Sequence, residues 1–322
     1  MARYLILLLK LTLSFGLVWY AFTKIDTATA LVYLKLVPAE AIVAALATLL
    51  LQTALVSIRL RLLLRELGSN FGLTGALDAV FVGAFFSQTF ISFVGGDAMR
   101  VWRIAKKNVS VNVAVKAVLF DRIFGFVGLI LLILLSVPLL LQVVTDSHMR
   151  GSLVLLIALA IAGCIAFMLM HRLPVGFRRW RVIALAADLS LSAKRVVRGR
   201  GVLLKLMVLS LLIQVLNVVS IFVVAAGTNI EITFLHALVL LPPVLFLSMM
   251  PISFAGWGVR EGAMIVALGL VGVPAGQSLA LSIFYGLCLI VISLPGGVLW
   301  FIARKRALVD GGEPAGRAAT PK

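Results

Sequence analysis

The sequence predicts an all-α polytopic membrane protein, with about six full spans and two re-entrant helical hairpins arranged as an inverted repeat. The first observation is composition: 62% of the 322 residues are hydrophobic and only 13% are charged, whereas soluble domains carry about 25% charged residues. The second is length, because several apolar stretches reach the ~20 residues that a helix needs to cross a bilayer. The third is that similar segments recur half a chain apart.

Six apolar stretches predict full membrane spans, namely residues 4–22, 39–60, 122–144, 151–171, 203–226 and 277–302. The first could instead be a cleaved signal peptide, since small residues follow near Ala28 and Ala30. We interpret it as an uncleaved anchor, because it is longer than the ~7–15 apolar residues of a usual signal peptide and more spans follow.

Two further apolar stretches, 73–94 and 233–254, predict re-entrant hairpins. If 73–94 crossed the membrane fully, the basic run Arg100–Lys107 would lie outside, against the positive-inside rule. The re-entrant interpretation instead places 25 of the 29 Lys and Arg residues in the cytoplasm. The second stretch is interrupted by prolines. The segment 233–275 must begin and end outside, because the chain leaves through 203–226 and returns through 277–302 to a basic tail.

An internal repeat underlies the two hairpins. Residues 85–95 read FFSQTFISFVG and residues 246–256 read FLSMMPISFAG, 161 positions later. Eight of 22 positions match between 76–97 and 237–258. Because the hairpins enter from opposite sides, the repeat is an inverted one, a plan that places a binding site near the membrane midplane between broken helices.

The predicted organisation is one transmembrane domain, residues 1–302, with half-repeats at about 39–144 and 203–302 joined by 151–202. A Gly-, Pro- and charge-rich tail, 303–322, is predicted to be disordered and cytoplasmic. The charge rule also predicts a cytoplasmic N-terminus and a bacterial-type inner membrane. The net charge of +17 is assigned to the cytoplasmic loops rather than to nucleic-acid binding.

No metal or cofactor site is expected. Cys164 and Cys288 lie in apolar stretches without metal-ligand spacing, and the three histidines do not pair at helical spacing. The candidate substrate-binding residues are instead polar side chains within or beside the membrane segments, where ionisable groups are costly: Asp97, Arg100, Asp121, Arg122, Arg260, Glu261, Gln52 and Gln214.

The four charged residues around the first hairpin have two interpretations. Asp97 and Arg100 lie at its tip or exit, and Asp121 and Arg122 open the next span. They bind a substrate, or the pairs Asp97–Arg100 and Asp121–Arg122 are interfacial ion pairs that hold the loop, reaching the interface by snorkelling.

The second hairpin carries the clearer candidate. Arg260 and Glu261 follow GWGV on the side that is otherwise poor in basic charge. An arginine there suits a phosphate, which its planar fork binds with two hydrogen bonds. Gln52 and Gln214 lie mid-span at equivalent places, where hydrogen bonding between helices is their expected role.

Three segments resemble a known family: FFSQTFISFVGGDAMRVW at 85–102, AVLFDRIFGF at 117–126 and PISFAGWGVREGA at 251–263. They are similar to signature segments of the flippase-like membrane domain of lysylphosphatidylglycerol synthases, a family with many stand-alone members. The resemblance covers roughly residues 5–302. It implies an all-α membrane domain that moves aminoacylated or other polar-headed lipids between leaflets. The motif positions that it carries over are Asp97, Arg100, Arg122, Arg260 and Glu261.

One departure from the family pattern is visible, since the first block often has a proline where this chain has Ile91.

About twenty residues follow the last predicted span, so the aminoacyl-transferring domain of the fused members, and with it synthase activity, is not expected. No phosphate-binding glycine-rich loop is present, so ATP hydrolysis by this chain is not expected either.

Three functions stay open from the sequence. The first is a lipid translocase without covalent chemistry, with a membrane lipid as substrate. The second is an accessory protein or enzyme in glycolipid, isoprenoid-lipid or hopanoid assembly. The third is a small-solute secondary transporter. A lipid-modifying enzyme or a glycosyltransferase is the expected protein partner, and no nucleic acid is expected.

Overall fold

Eight α-helices and no strands form the part of the chain that the computed structural model describes, which is residues 36–89, 93–143, 200–249 and 256–310 with Tyr33, Gly151 and Ala158. The helices are α1 Ala39–Glu66, α2 Leu73–Thr89, α3 Phe93–Ala105, α4 Val111–Val143, α5 Arg200–Gly227, α6 Phe234–Met249, α7 Val259–Gly269 and α8 Ala275–Asp310. The all-α prediction is confirmed for these residues.

Four of the helices are long and apolar enough to cross a membrane. Their candidate spans are Ala39–Glu66, Val111–Pro138, Gly201–Gly227 and Ala275–Lys305, which agree with four of the predicted spans. The predicted spans 4–22 and 151–171, apart from Gly151 and Ala158, lie outside the described residues, as do Ile91 and most of the linker.

Three details differ from the prediction. Helix α4 begins at Val111, so Asp121 and Arg122 lie well inside it rather than at the opening of a span. Their charges lower the local apolar signal, but the helix accommodates them because both are ion-paired. Helix α8 continues to Asp310, past the predicted start of the disordered tail at 303.

The third detail concerns α6, which runs unbroken through Pro242 and Pro243. Both prolines are buried among neighbouring helices. In such surroundings a helix tolerates proline, because packing and local adjustment compensate for the lost backbone hydrogen bonds.

Helices α1 and α5 lie antiparallel. At one end, Gly227 approaches Ala41 so closely that an added Cβ would lie 2.6 Å from the Ala41 Cβ. At the other end, Arg61, Arg65 and Lys205 line one cleft. The basic end of α1 and the basic start of α5 therefore share one end of the bundle.

Helices α2 and α3 form a hairpin whose two outer ends meet. Asp78, near the start of α2, accepts hydrogen bonds from Nε and Nη2 of Arg103, near the end of α3, at 2.7 and 2.8 Å. Close packing of the two helices depends on glycine, because a Cβ on Gly96 would lie 2.6 Å from the Gly83 carbonyl oxygen and would overlap Ser87. The chain therefore returns on α3 to the end at which α2 began.

The helix pattern occurs twice along the chain. Helices α1 and α5 each have 28 residues and begin at Ala39 and Arg200, which are 161 positions apart. Helices α2 and α6 have 17 and 16 residues and begin at Leu73 and Phe234, again 161 positions apart. A shorter helix and then a long one follow in each half. The offset found in the sequence is thus also the offset between the helices.

Candidate functional site: an arginine-lined cavity

A cavity of about 280 Å³ lies where all eight described helices meet, and each helix contributes at least one lining residue. Six of the eight predicted site residues line it, namely Gln52, Arg100, Asp121, Arg122, Gln214 and Arg260. The other two, Asp97 and Glu261, pair with Arg122 and Arg260. The tertiary structure therefore brings residues from both halves of the chain to one place.

Asp121 is shared by two arginines. Its Oδ1 accepts from Nε of Arg59 at 2.8 Å, and its Oδ2 accepts from Nη2 of Arg100 at 2.9 Å. Nη1 of Arg59 also donates to the Ser210 hydroxyl at 3.0 Å. All four residues are buried. This cluster ties α1, α3, α4 and α5 together at the cavity wall.

The second acidic group, Asp97, pairs with Arg122. Nε and Nη2 of Arg122 donate to its two oxygens at 2.9 and 3.0 Å, a bidentate arrangement. Nη1 of Arg100 lies 3.8 Å from Oδ1 of Asp97, a looser contact.

Of the two ion pairs proposed from the sequence, Asp97 with Arg100 is present as this longer contact, beside the main pair of Asp97 with Arg122. The other pair, Asp121 with Arg122, is wrong, because Asp121 pairs with Arg59 and Arg100. Neighbouring side chains on a helix point about 100° apart, so Asp121 and Arg122 face different partners. Asp97 and Arg100 share one face of α3 and reach across to α4.

Arg260 and Glu261 form a second buried cluster at the start of α7, each with 2% of its surface exposed. Oε1 of Glu261 accepts from Nη2 of Arg260 at 2.9 Å and from the Ser282 hydroxyl at 3.0 Å. Oε2 of Glu261 accepts the backbone N–H of Gly258. Ser282 in turn accepts from Nε of Arg260 at 3.1 Å.

Two aromatic rings and a glycine position Arg260. The guanidinium carbon lies 4.8 Å from the ring centroid of Trp257 and 5.6 Å from that of Tyr285, within the range of cation–π attraction. A Cβ on Gly286 would overlap Nη2 of Arg260 and lie 2.9 Å from the Trp257 ring. Glycine at 286 therefore leaves the space that the guanidinium and the indole occupy.

Three of the arginines keep N–H groups without an acceptor among the described residues. For Arg59 this is Nη2, since its hydrogen bonds run through Nε and Nη1. For Arg260 it is Nη1, since its bonds run through Nε and Nη2. For Arg100 it is Nε, which is fully buried. Nε of Arg100 is thus a buried donor without an acceptor, which is rare and costly unless a ligand or water satisfies it.

The polar amides have a different role. Nε2 of Gln214 donates to the Gly125 carbonyl at 3.0 Å, which links α5 to α4 as expected for a residue that joins helices. Asn217 donates to Gln214, and the Tyr285 hydroxyl donates to Asn217, each at 3.0 Å. Gln52 is half-buried and faces the cavity.

A family model described as "Lysylphosphatidylglycerol synthase TM region" matches residues 7–296. The chain belongs to this family. The family match spans α1 to α7 and most of α8, so every lining residue of the cavity falls within it. The resemblance seen in the three sequence segments is thereby confirmed. No curated protein matches the chain significantly.

Arg59 was not among the candidate residues selected from the sequence, where it lies beside Arg61 and Arg65 at the basic end of a predicted span. A signal was present: Arg61 and Arg65 are four apart and share an exposed face, whereas Arg59 lies seven residues after Gln52 on the cavity face. The site residues Ser282 and Tyr285 carried no comparable signal, because single hydroxyl groups are common in apolar helices.

Proposed function

We propose that this protein is a lipid translocase of the bacterial inner membrane, which moves a phosphate-bearing lipid between leaflets without covalent chemistry. The observation that carries the proposal is that the buried arginines Arg59, Arg100 and Arg260 line one cavity and each keeps a guanidinium N–H group without an acceptor among the described residues. Phosphate oxygens are the acceptors that match them, because arginine binds phosphate through paired, charge-assisted hydrogen bonds.

The proposal includes an inverted arrangement of the two halves, expected from the positive-inside rule, which suits transport between leaflets. Arg100 bonds Asp121, 21 residues later, and Arg260 bonds Ser282, 22 residues later. Each contact joins the short second helix of a hairpin to the long helix that follows. With the hairpins entering from opposite sides, the two arginines approach the midplane from opposite leaflets, as in transporters built from inverted repeats.

The cavity lowers the main barrier to lipid movement. A charged head group loses its hydration when it enters hydrocarbon, and this loss is costly unless hydrogen bonds replace it. The arginines supply those hydrogen bonds at the junction of the helices. Acyl chains can remain beside the apolar outer faces of the long helices, where large side chains are exposed, including Val43, Leu50, Leu204, Val298 and Phe301.

A leaflet-resolved assay tests the proposal. The purified protein is reconstituted into vesicles that contain a trace of acyl-chain-labelled phosphatidylglycerol, and a membrane-impermeant reductant destroys label in the outer leaflet. We expect the protein to make nearly all of the label accessible, whereas protein-free vesicles protect the inner half. If the protein gives no more loss than protein-free vesicles, the proposed function is overturned.

A matched pair of variants connects the activity to the cavity. Arg59→Gln removes a lining guanidinium but leaves Asp121 paired with Arg100. Arg61→Gln makes the same change two residues away on an exposed face. We expect transport to fall by about tenfold or more in Arg59→Gln, the effect of losing one hydrogen bond to a charged group. Arg61→Gln should match the unchanged protein.

A further inference from the structure

We infer that the cavity selects a lipid head group with one net negative charge, a phosphodiester without an added ammonium, and disfavours a cationic aminoacylated head group. The inference rests on the proposed function and names the substrate class of the same site. It follows from the charges of the cavity and from the hydrogen-bond donors there that have no acceptor among the described residues.

Taken together as one charged cluster, the described residues around the cavity carry one more positive than negative charge. The four arginines are Arg59, Arg100, Arg122 and Arg260, and the three carboxylates are Asp97, Asp121 and Glu261. An uncompensated charge is costly where solvent is excluded, so occupancy by one anion stabilises the cluster. A diphosphate head group would bring more negative charge than the cluster can neutralise.

The three carboxylates are already paired with cationic groups. Both oxygens of Asp121 accept from arginines, and both oxygens of Asp97 accept from Arg122. Glu261 accepts from Arg260 and Ser282 at one oxygen and from a backbone N–H at the other. An ammonium group in the cavity would therefore compete with guanidinium groups for each carboxylate and be repelled by the same guanidinium groups.

Unsatisfied hydrogen-bonding groups show the same preference. Nη2 of Arg59, Nε of Arg100 and Nη1 of Arg260 are donors without acceptors among the described residues. The amide oxygens of Gln214 and Asn217 are already occupied by donors. The volume corresponds to about nine water molecules, using ~30 Å³ for each, which gives room for a phosphate and a short polyol.

Gln52→Glu gives the sharpest test, because the change preserves shape and adds one negative charge in the cavity. Gln52 is half-buried and lines the cavity. With a glutamate there, the cluster becomes neutral and offers an ammonium a carboxylate. Gln277→Glu is the matched control, since it adds the same charge near the start of α8, where Gln277 bonds Tyr33 outside the cavity.

The experiment compares acyl-chain-labelled phosphatidylglycerol with acyl-chain-labelled lysyl-phosphatidylglycerol in phosphatidylcholine vesicles, each as a trace. For the unchanged protein we expect phosphatidylglycerol to cross at least about tenfold faster, a difference of about 1.4 kcal/mol. Gln52→Glu should lower this rate ratio by a similar factor, and Gln277→Glu should leave it unchanged. A rate ratio has the further advantage that it does not depend on the amount of folded protein.

Two results overturn the inference while the proposed function stands: lysyl-phosphatidylglycerol crosses as fast as phosphatidylglycerol or faster, or Gln52→Glu leaves the ratio as it was. If neither lipid crosses faster than in protein-free vesicles, the proposed function itself fails and the inference fails with it. The outcomes therefore distinguish an error in the substrate class from an error in the function.

Discussion

Nη2 of Arg100 donates to Oδ2 of Asp121 at 2.9 Å, and this contact joins the short helix α3 to the long helix α4. Asp121 uses its other oxygen for Arg59 on α1. One carboxylate therefore holds two arginines at the cavity wall. Residues 100 and 121 are 21 positions apart and lie on different helices. The contact therefore depends on the packing of α3 against α4.

Asp121→Asn should destabilise the protein by about 3–5 kcal/mol, because two buried arginines would then face one neutral amide. The measurement is thermal unfolding in detergent. Glu40→Gln is the control, since Glu40 is exposed at the start of α1 and a surface change of this kind costs within about 0.5 kcal/mol. Equal unfolding temperatures for the two variants would contradict the structural role of Asp121.

Gly83→Ala should displace Arg100. An added Cβ would overlap Cγ of Arg100 and lie 2.6 Å from its Cδ, with the Gly96 carbonyl at 3.1 Å on another side. We expect a loss of about 1–3 kcal/mol in stability from overpacking, together with reduced transport per folded molecule.

The control for that change is Gly262→Ala in α7, where an added Cβ meets nothing within 4 Å. Alanine there should be neutral or stabilising by up to about 1 kcal/mol, because it favours the helix. Thermal unfolding and the leaflet assay measure both variants. Unimpaired transport in Gly83→Ala would show that Arg100 does not need its present position.

Arg260→Lys should reduce transport by about tenfold or more while keeping the charge, because an ammonium group lacks the planar fork. Arg260→Ala should also lose about 3–5 kcal/mol of stability, since it leaves the Glu261 carboxylate buried without its cation. Transport per folded molecule and the unfolding temperature are measured in parallel.

The double variant Arg260→Met with Glu261→Gln distinguishes binding from structure. Removing both charges should restore stability, because the side-chain amide of the glutamine at 261 can still accept the Gly258 N–H. Transport should not recover, because the arginine that we propose binds the phosphate has been removed. Recovery of stability and transport together would mean that Arg260 serves only to hold the hairpin.

The proposed topology predicts which loops face the outside of the cell. Lys106 lies beyond α3 and Glu231 lies between α5 and α6, and both are exposed. In a background without Cys164 and Cys288, a membrane-impermeant thiol reagent applied to intact cells should label Glu231→Cys and not Lys106→Cys. External labelling at Lys106 would place the end of the α2–α3 hairpin on the outer side and refute the inverted arrangement.

The sequence alone determined the helical membrane class, four of the spans and the 161-residue repeat. These are local or periodic properties, because a stretch of about 20 apolar residues needs lipid wherever it lies in the fold. The sequence also shows that Arg100, Asp121 and Arg260 lie within or beside apolar segments, where a charged side chain is costly without a partner. It does not show which residue is the partner of each.

Only the tertiary structure decided the partners and the boundaries. Asp121 pairs with Arg59 and Arg100 rather than with its neighbour Arg122, because helix packing, not chain proximity, brings opposite charges together. The same packing turned Arg59 inward and gave Gly83 and Gly286 their functions as spaces for arginine side chains. The sequence shows which charged residues must be buried, but the arrangement of the helices determines which of them pair with each other and which face the cavity.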